Sequence, residues 1–360
     1  MGAISGVHLR LDTAIRFTGS NTPDQDKIRQ TILDCLKFSS MTNRFEDIEE
    51  AHRKTFNWIF EDRKEKRPFD DFVGWAENGK GVYWVTGKAG SGKSTLMKYL
   101  NEDPRTRDAL EKWAGDVPLR MISFYFWSSG SMMQRSRKGL LQGILHNILL
   151  EEPELSPILF PHQHGNRPMF EEFPSHNDLK RAYRHLVEQT AVDMRLAILI
   201  DGLDEYDTET DKERSEITQI LSPAFSSANI KMVLSSRPLP EFEDCFSICP
   251  KLRLHQLTEK DIASYVSDTI RSHSHMKRLE EKQPWECKRL INKIINTAAG
   301  VFLWVNLAVK SLLSGLRNCD RIENLQDRLE ELPPDLENLI KHMYESIEPR
   351  YRGQVSRVIQ

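Results

Sequence analysis

The sequence predicts an α/β protein in which a parallel β-sheet lies between two layers of helices and is followed by a helical region. Five short apolar runs, each ending in a polar or glycine-rich turn, are the first observation. Segments with helical spacing separate most of these runs, which is typical of parallel strands joined by crossover helices. The spacing beyond residue 258 is helical throughout. The predicted strands are Val82–Val85, Leu119–Trp127, Leu196–Ile200, Ile230–Leu234 and Lys251–Leu257.

The segment before the first strand predicts helices. Residues 1–43 are weakly periodic, and only Ile28, Ile32 and Leu36 have helical spacing. From residue 44 onward, apolar residues recur every three or four positions, which predicts one amphipathic helix that continues to Phe60. We interpret this helix mainly as a cover for one face of the sheet. The alternative, that it also walls a ligand pocket, stays open.

The segment from Gly87 to Ser94 is a complete phosphate-binding loop, G-x-x-x-x-G-K-[ST], between the first strand and a helix. In such a loop the backbone N–H groups and the positive end of the helix face phosphate oxygens. We predict that Lys93 contacts the β- and γ-phosphates and that the Ser94 hydroxyl binds Mg²⁺. A glycine turn with a surface lysine is disfavoured by the flanking strand and helix. The predicted phosphate-binding residues are Gly87, Lys88, Ala89, Gly90, Ser91, Gly92, Lys93, Ser94 and Thr95.

The next part of the chain predicts a strand, two helices and a long connection. Apolar spacing around residues 140–149 indicates a helix, and the prolines of residues 153–174 indicate a loop. A second helix is predicted over residues 177–192, with Ser175 and Asp178 as its capping box.

The third strand, Leu196–Ile200, is a continuous apolar run that indicates burial on both faces, and it ends in Asp201. A carboxylate at this point is suited to binding Mg²⁺ beside the Ser94 hydroxyl. We predict that Glu205, or alternatively Asp204, activates an attacking water. A buried strand that ends in a solvated acidic turn is the alternative, and the phosphate loop disfavours it.

The fourth strand, Ile230–Leu234, is followed by Arg237, a candidate sensor of the γ-phosphate. The alternative, a loop arginine paired with a surface carboxylate, stays open. One strand and helix separate the phosphate loop from Asp201, and a further strand follows before Lys251–Leu257. This succession favours the additional-strand class of phosphate-loop folds, with sheet order 5-1-4-3-2.

The C-terminal region predicts a packed helical bundle. Thr258 and Asp261 have the spacing of a helix cap, and Val301–Leu316 has one apolar face. Asn306 and Lys310 make that segment too polar for a membrane span. A last apolar stripe runs from Leu336 to Ile347.

The composition fits a globular protein, with 39% hydrophobic and 29% charged residues. A net charge of −3 gives no polybasic surface, so an obligate nucleic-acid partner is not expected. The five cysteines do not form paired zinc motifs, and we expect reduced thiols and a cytoplasmic location. No secretory signal is recognisable within residues 1–15.

Several of these segments together resemble the NACHT group of signal-transducing (STAND) NTPases, and especially the fungal, NLR-like type with a nephrocystin-3-like N-terminal domain. The likeness covers roughly residues 44–350. The more discriminating stretches are Ala51–Ile59 and Gly300–Val305. The other stretches that carry the likeness are Trp84–Leu100, Phe124–Gly130, Ile200–Glu205, Ser235–Pro238 and Leu257–Ile262.

The resemblance implies a molecular switch that binds ATP, or alternatively GTP, with Mg²⁺, hydrolyses it slowly and forms homo-oligomers on activation. It implies further protein partners of unknown identity. By this likeness Lys93 and Ser94 bind phosphate and Mg²⁺, Asp201 binds Mg²⁺, and Arg237 senses the γ-phosphate. We expect an N-terminal extension over residues 1–43, a nucleotide-binding domain over 44–257 and a truncated helical domain over 258–360.

Two other functions stay open. A small-molecule kinase also uses a phosphate loop and Mg²⁺, but the acidic cluster after the third strand favours water as the acceptor. A nucleotide-dependent scaffold without catalysis is the second. The sequence has no N-K-x-D element for reading guanine, which favours ATP over GTP.

Overall fold

The computed structural model describes residues 23–52, 55–61, 68–165, 173–206, 211–335 and 337–341. Its five strands form one fully parallel sheet in the order β2-β3-β4-β1-β5. This is the predicted order read from the opposite edge, so the predicted fold class is confirmed. The strands are β1 (Gly81–Thr86), β2 (Leu119–Tyr125), β3 (Arg195–Asp201), β4 (Ile230–Ser236) and β5 (Lys251–Arg253).

Helices cover both faces of the sheet and form the C-terminal region. Within the described residues the first ten are α1 (Pro23–Leu36), α2 (Asn43–Asp47), α3 (Phe72–Asn78), α4 (Lys93–Glu102), α5 (Pro104–Ala114), α6 (Arg137–Glu151), α7 (Ser156–Leu159), α8 (His176–Glu188), α9 (Asp211–Phe225) and α10 (Pro240–Cys245). The C-terminal helices are α11 (Glu259–Arg271), α12 (Ser274–Lys282), α13 (Pro284–Ala298), α14 (Phe302–Arg317) and α15 (Ile322–Glu330).

The two faces of the sheet pack against separate apolar clusters. In β1, Val82 and Trp84 belong to one cluster, whereas Tyr83 and Val85 belong to the other. This alternation follows from the two-residue period of a strand, and it explains why the strands are apolar at nearly every position. The sheet is therefore a central layer between two layers of helices.

A third apolar cluster lies within the C-terminal helices. Its buried members all come from residues 262–339, and Trp304 is among its largest side chains. The predicted helix at Val301–Leu316 is confirmed as α14. No helix in the described part of the chain combines the length and apolarity needed to cross a bilayer.

The predicted continuous helix over residues 44–60 is wrong. Among the described residues of this stretch, which exclude 53 and 54, helical structure is confined to α2 and a 3-10 turn at Asn57–Ile59. Phe56 adopts a left-handed conformation with φ of 67°, and its N–H donates to the Asp261 carboxylate. The apolar side chains that suggested a helix instead pack as an irregular layer, in which the Phe56 ring contacts Tyr99.

Several element boundaries also differ from the prediction. β5 ends at Arg253 because its partner strand β1 ends at Thr86, where the phosphate loop begins. The predicted loop over residues 153–174 contains α7 and the 3-10 turn Pro153–Leu155. The helix predicted over 177–192 ends at Glu188.

Two predicted caps have different outcomes. Ser175 and Asp178 form the predicted capping box at the start of α8. Thr258 makes no side-chain cap, because its hydroxyl donates to the Gly300 carbonyl instead. Helices α3, α5, α9 and α10 were not predicted. Most of the stripe predicted from Leu336 to Ile347, including residue 336, lies outside the described residues.

Candidate functional site

The phosphate loop connects the C-terminal end of β1 to the first turn of α4. Gly90 and Gly92 have φ values of 69° and 91°, a conformation that side chains strongly disfavour. Gly87 approaches Ser91 closely, because a Cβ at Gly87 would lie 2.7 Å from the Ser91 hydroxyl. The positive φ values and the close approach at Gly87 therefore explain why the loop has glycine at these three positions.

Lys93 lies at the first position of α4 and turns back over the loop. Its Nζ donates to the carbonyls of Gly87 at 3.0 Å and of Lys88 at 3.1 Å. Burial lowers the pKa of Lys93, and the negative charges of Asp204 and Asp201 oppose this effect. The ammonium group predicted to bind phosphate is thus close to the predicted acidic residues.

Asp201 ends β3 and is 1% exposed. Its Oδ1 accepts a hydrogen bond of 2.5 Å from the Ser235 hydroxyl. Burial raises the pKa of Asp201, and hydrogen bonding from Ser235 and Ser94 opposes the rise. Its Oδ2 is buried and has no hydrogen-bond partner among the described residues.

An unpaired buried carboxylate oxygen is costly unless it binds a cation or another donor. The donor set at this point, a carboxylate and the neighbouring Ser94 hydroxyl, is suited to Mg²⁺, which takes few protein ligands together with phosphate oxygens. Within the described residues no group of three or more His, Cys, Asp or Glu side chains is arranged to bind a metal by itself. Asp201 and Ser94 therefore fit Mg²⁺ held jointly with a nucleotide.

The two candidate bases, Asp204 and Glu205, have different surroundings. Asp204 accepts hydrogen bonds from the Arg237 backbone N–H at 2.8 Å and from Arg237 Nε at 2.6 Å. Glu205 accepts one at 3.0 Å from the Ser128 N–H. Burial raises the pKa of Glu205, which the Ser128 hydrogen bond opposes. Both carboxylate oxygens of Asp204 therefore accept hydrogen bonds from Arg237. In Glu205, the described hydrogen bonds involve Oε2 alone.

Arg237 follows β4, as predicted. It is paired with Asp204, whose side chain is only 6% exposed and which is itself a candidate site residue, so the partner is not the surface carboxylate of the alternative interpretation. The candidate site residues thus lie at one edge of the sheet. The phosphate loop follows the carboxyl end of β1, the acidic residues Asp201, Asp204 and Glu205 lie at that of β3, and Arg237 lies at that of β4. This is where ligands bind in open α/β sheets.

Ser235 is a functional candidate that the sequence reasoning missed. Its hydroxyl donates to Asp201 and accepts from the Gly202 N–H at 2.8 Å. Through these two bonds it orients the carboxylate at the end of β3. The predicted adjacency of the third and fourth strands was the available signal, since it places the two strand ends side by side.

The helical region contacts the phosphate loop directly. The Leu303 N–H, in the first turn of α14, donates a hydrogen bond of 3.0 Å to the Gly90 carbonyl. Gly300, just before this helix, has φ of 81°, and a Cβ there would lie 1.9 Å from the His255 carbonyl oxygen. The turn before α14 therefore requires glycine.

A cavity of about 360 Å³ lies along α4, from Thr95 to Glu102, and reaches Arg105 at the start of α5. Thr95, Lys98 and Tyr99 of α4 line one side, and residues 50–52, 55 and 57 line another. The sequence left open that the segment before the sheet walls a ligand pocket. This stays a prediction, and the cavity is the candidate pocket.

The sequence matches the family described as Nephrocystin 3, N-terminal over residues 54–237, which is 184 of 360 residues. No curated protein sequence matches the chain significantly.

Three solved structures are partly similar. The Walker-type ATPase of Pyrococcus abyssi is 15% identical, with a TM-score of 0.40, and 81% of each chain is covered. The Drosophila ORC bound to DNA is 14% identical, with 74% of this chain and 67% of that chain covered and a TM-score of 0.38. PCH-2 of C. elegans is 11% identical, with 89% and 72% covered and a TM-score of 0.35.

TM-scores of this size describe only a partial structural likeness. The family of this chain is therefore assigned from the family match alone. That match includes the phosphate loop, Asp201, Glu205 and Arg237. It confirms the resemblance to NACHT-type phosphate-loop NTPases on which the sequence prediction relied. The chain belongs to the nephrocystin 3 N-terminal family.

Proposed function

We propose that this chain is a nucleotide-regulated switch that binds a purine nucleoside triphosphate together with Mg²⁺. The observation that carries the proposal is the arrangement of Lys93 and Asp201 at the ends of two parallel strands. Asp201 has an unpaired buried oxygen close to Ser94, and Lys93 covers a loop whose geometry suits phosphate. A family match that contains these residues supports the proposal.

The preferred nucleotide in this proposal is ATP, with GTP as the alternative. The sequence lacks the N-K-x-D element that reads guanine. The cavity beside Thr95 is the candidate site for the base and ribose, since Thr95 directly follows the residue proposed to bind Mg²⁺. Its lining includes Asn57 and Tyr99, which could hydrogen-bond and stack with a base.

The proposed reaction is slow hydrolysis with Glu205 as general base. Burial raises the pKa of Glu205 toward the range in which a carboxylate accepts a proton efficiently. Its Oε2 is oriented by the Ser128 N–H, and no described hydrogen bond occupies Oε1. Asp204 is less suited to this role because Arg237 binds both of its oxygens.

The switch function in this proposal depends on contact between the nucleotide-binding residues and the C-terminal helices. The Leu303–Gly90 hydrogen bond joins α14 to the phosphate loop. A domain boundary near residue 257 is part of the proposal, because the third apolar cluster contains no buried residue before Ile262. Self-association on activation and a cytoplasmic location are also proposed.

Two alternatives differ in what they do with the nucleotide. A non-catalytic scaffold would bind ATP without turnover. A small-molecule kinase would turn over only with an acceptor substrate. The half-buried Glu205 beside the proposed Mg²⁺ site favours hydrolysis over both.

Calorimetric titration tests the proposal. With Mg²⁺ present, the wild-type chain should bind ATP more tightly than GTP, and Lys93→Ala should lose several kcal/mol of phosphate binding. Arg107→Ala, at an exposed arginine on α5, is the matched control and should bind as the wild type does. Sizing of the loaded and unloaded protein tests self-association. Wild-type protein that takes up neither nucleotide, or Lys93→Ala protein with unchanged affinity, would overturn the proposal.

A further inference from the structure

Arg44 lies on α2, ten residues before the region matched by the nephrocystin family begins. Two contacts fix this short helix against the nucleotide-binding core. The Phe45 ring packs on Tyr125 at the end of β2, with the ring centroids 5.2 Å apart. The Ile48 carbonyl, at the end of the helix, accepts a hydrogen bond of 2.8 Å from Lys98 of α4. The position of Arg44 is therefore tied to the helix that follows the phosphate loop.

The Arg44 guanidinium is stacked near the indole ring of Trp127, with its central carbon 5.6 Å from the ring centroid. Trp127 directly precedes Ser128, whose N–H binds Glu205. Stacking leaves the donors at the edge of a guanidinium group available for an anion. Arg44 Nε is buried and has no hydrogen-bond partner among the described residues.

The packing of α2 on β2 also places Arg44 beside the acidic residues of the site. Tyr125, which the Phe45 ring contacts, is paired with Asp201 across β2 and β3, and Trp127 precedes the residue whose N–H binds Glu205. No ion pair joins Arg44 to either carboxylate in the described ranges. The guanidinium is thus near both groups and bonded to neither. A buried N–H donor without a partner is costly until an acceptor binds it, and a phosphate oxygen is a suitable acceptor for a guanidinium group.

We propose that Arg44 is a third basic group of the triphosphate site and that it stabilises the negative charge on the γ-phosphoryl group during hydrolysis. The inference rests on the proposed function. In that reaction the water oxygen forms a bond to the γ-phosphorus, and the bond from phosphorus to the oxygen bridging to the β-phosphate breaks. The water proton passes to Glu205, and a nucleoside diphosphate and inorganic phosphate leave.

Arg44 differs in its position from the other two basic groups. Lys93 belongs to the loop, and Arg237 is paired with Asp204. Arg44 approaches from the β2 side, on a segment that precedes the family match. The N-terminal segment would therefore control the rate of hydrolysis by positioning one charge. Arginines that stabilise phosphoryl transfer contribute about 10³ to 10⁵ in kcat in other NTPases.

The experiment compares the wild type with Arg44→Ala, Arg44→Met and Arg44→Lys, and uses Arg107→Ala as the control. Hydrolysis of Mg²⁺-ATP gives kcat and KM, and calorimetry gives affinities for ADP and for ADP with aluminium fluoride, an analogue of the transferring phosphoryl group. We expect Arg44→Ala to lower kcat by about 100-fold or more. Its affinity for the analogue should fall by a similar factor, while KM and the affinity for ADP change less than about threefold.

Arg44→Met keeps an apolar stem over Trp127, so it tests the charge in a folded protein. Arg44→Lys should recover part of the lost rate, since it restores the charge but not the planar group. Folded Arg44→Met protein with the wild-type kcat would overturn the inference. Equal losses of affinity for ADP and for the analogue would also overturn it, because they indicate general damage to the site. If wild-type protein binds no ATP, the proposed function itself fails; if it binds ATP and Arg44 variants hydrolyse it normally, only this inference fails.

Discussion

The backbone N–H of Leu303 and the carbonyl of Gly90 form a hydrogen bond of 3.0 Å between α14 and the phosphate loop. The loop carbonyl is therefore bonded by the helical region rather than by its own strand or helix. Any rearrangement of the loop around a phosphate changes the geometry of this bond. In the proposed switch, this hydrogen bond would couple a change in the phosphate loop on nucleotide binding to the position of the C-terminal helices.

Gly300→Ala tests whether the turn before α14 holds that helix on the loop. A Cβ at Gly300 would overlap the His255 carbonyl oxygen, and φ there is 81°. We expect a loss of about 3 kcal/mol in the free energy of unfolding, measured by urea denaturation. The dissociation rate of bound ATP, followed by stopped-flow fluorescence, should rise several-fold because the Leu303–Gly90 bond weakens.

The matched control is Gly115→Ala. Gly115 also has a positive φ of 62°, but nothing lies within 4 Å of the added Cβ. Gly115→Ala should lower the free energy of unfolding by about 1 kcal/mol, which is the conformational strain alone, and leave the rate of ATP dissociation unchanged. Equal effects of the two substitutions would show that the contact with His255 does not matter.

Glu205→Gln separates the two candidate bases. The glutamine keeps an acceptor for the Ser128 N–H but cannot accept a proton from water, so kcat for ATP hydrolysis should fall by about 100-fold or more. The affinity for ATP should change little. Asp204→Asn is the comparison, and it should retain more activity, because Asp204 is committed to Arg237. A larger loss in Asp204→Asn than in Glu205→Gln would reverse the assignment.

The positions of the candidate site residues at strand ends were predictable because these residues follow buried apolar runs. The phosphate loop, Asp201 and Arg237 each come directly after such a run, and parallel strands bring these ends to one edge. The order of the strands required more than these local patterns, and it was predicted from the class of phosphate-loop fold that the succession of motifs favours.

The segment before the sheet was not predictable in the same way. Its apolar spacing fits a helix, but Phe56 is fixed in a left-handed conformation by an aspartate 205 residues away. The approach of Arg44 to the site likewise depends on long-range contacts with Tyr125 and Lys98. The spacing of apolar residues within a segment contains no information about contacts with residues that are distant in the sequence.

Asp261 is the anchor between this segment and α11, and its removal should destabilise the protein. Its carboxylate accepts hydrogen bonds from the Phe56 N–H at 3.3 Å and from Trp58 Nε1 at 2.8 Å. Asp261→Ala removes the acceptor of both hydrogen bonds, so we expect a loss of about 2 to 4 kcal/mol in the free energy of unfolding. Asp261→Asn should lose less, since the amide oxygen can still accept one bond.

The control for this anchor is Asp268→Ala on the same helix. The Asp268 side chain is 65% exposed, and its contact with His52 is 4.0 Å long. The free energy of unfolding should change by less than about 0.5 kcal/mol. A comparable loss at both positions would contradict the anchoring role of Asp261.

Lys231 occupies the interior of β4 and is 1% exposed. Its Nζ donates to the carbonyls of Trp75 at 2.8 Å and of Ala76 at 2.6 Å, near the end of α3. The ammonium group also lies 4.7 Å from the centroid of a Trp113 ring. The sequence shows a lysine within an apolar run, and its partners belong to helices that were not predicted. Burial lowers the pKa of Lys231 to about 8.

This lowered pKa makes stability depend on pH, because the ordinary value is 10.5 and the unfolded chain binds the proton more tightly. Between pH 8 and 10.5 the unfolded state carries more protons, so the Lys231 contribution to stability rises with pH, by about 3 kcal/mol in total. Lys231→Met removes this contribution. Urea unfolding at pH 8, 9 and 10 should therefore show the wild type gaining stability relative to Lys231→Met as pH increases. Lys310→Met, at an exposed lysine, should follow the wild type. A constant difference between wild type and Lys231→Met across this range would mean that Lys231 keeps its proton in the folded protein, stabilised by the two carbonyls.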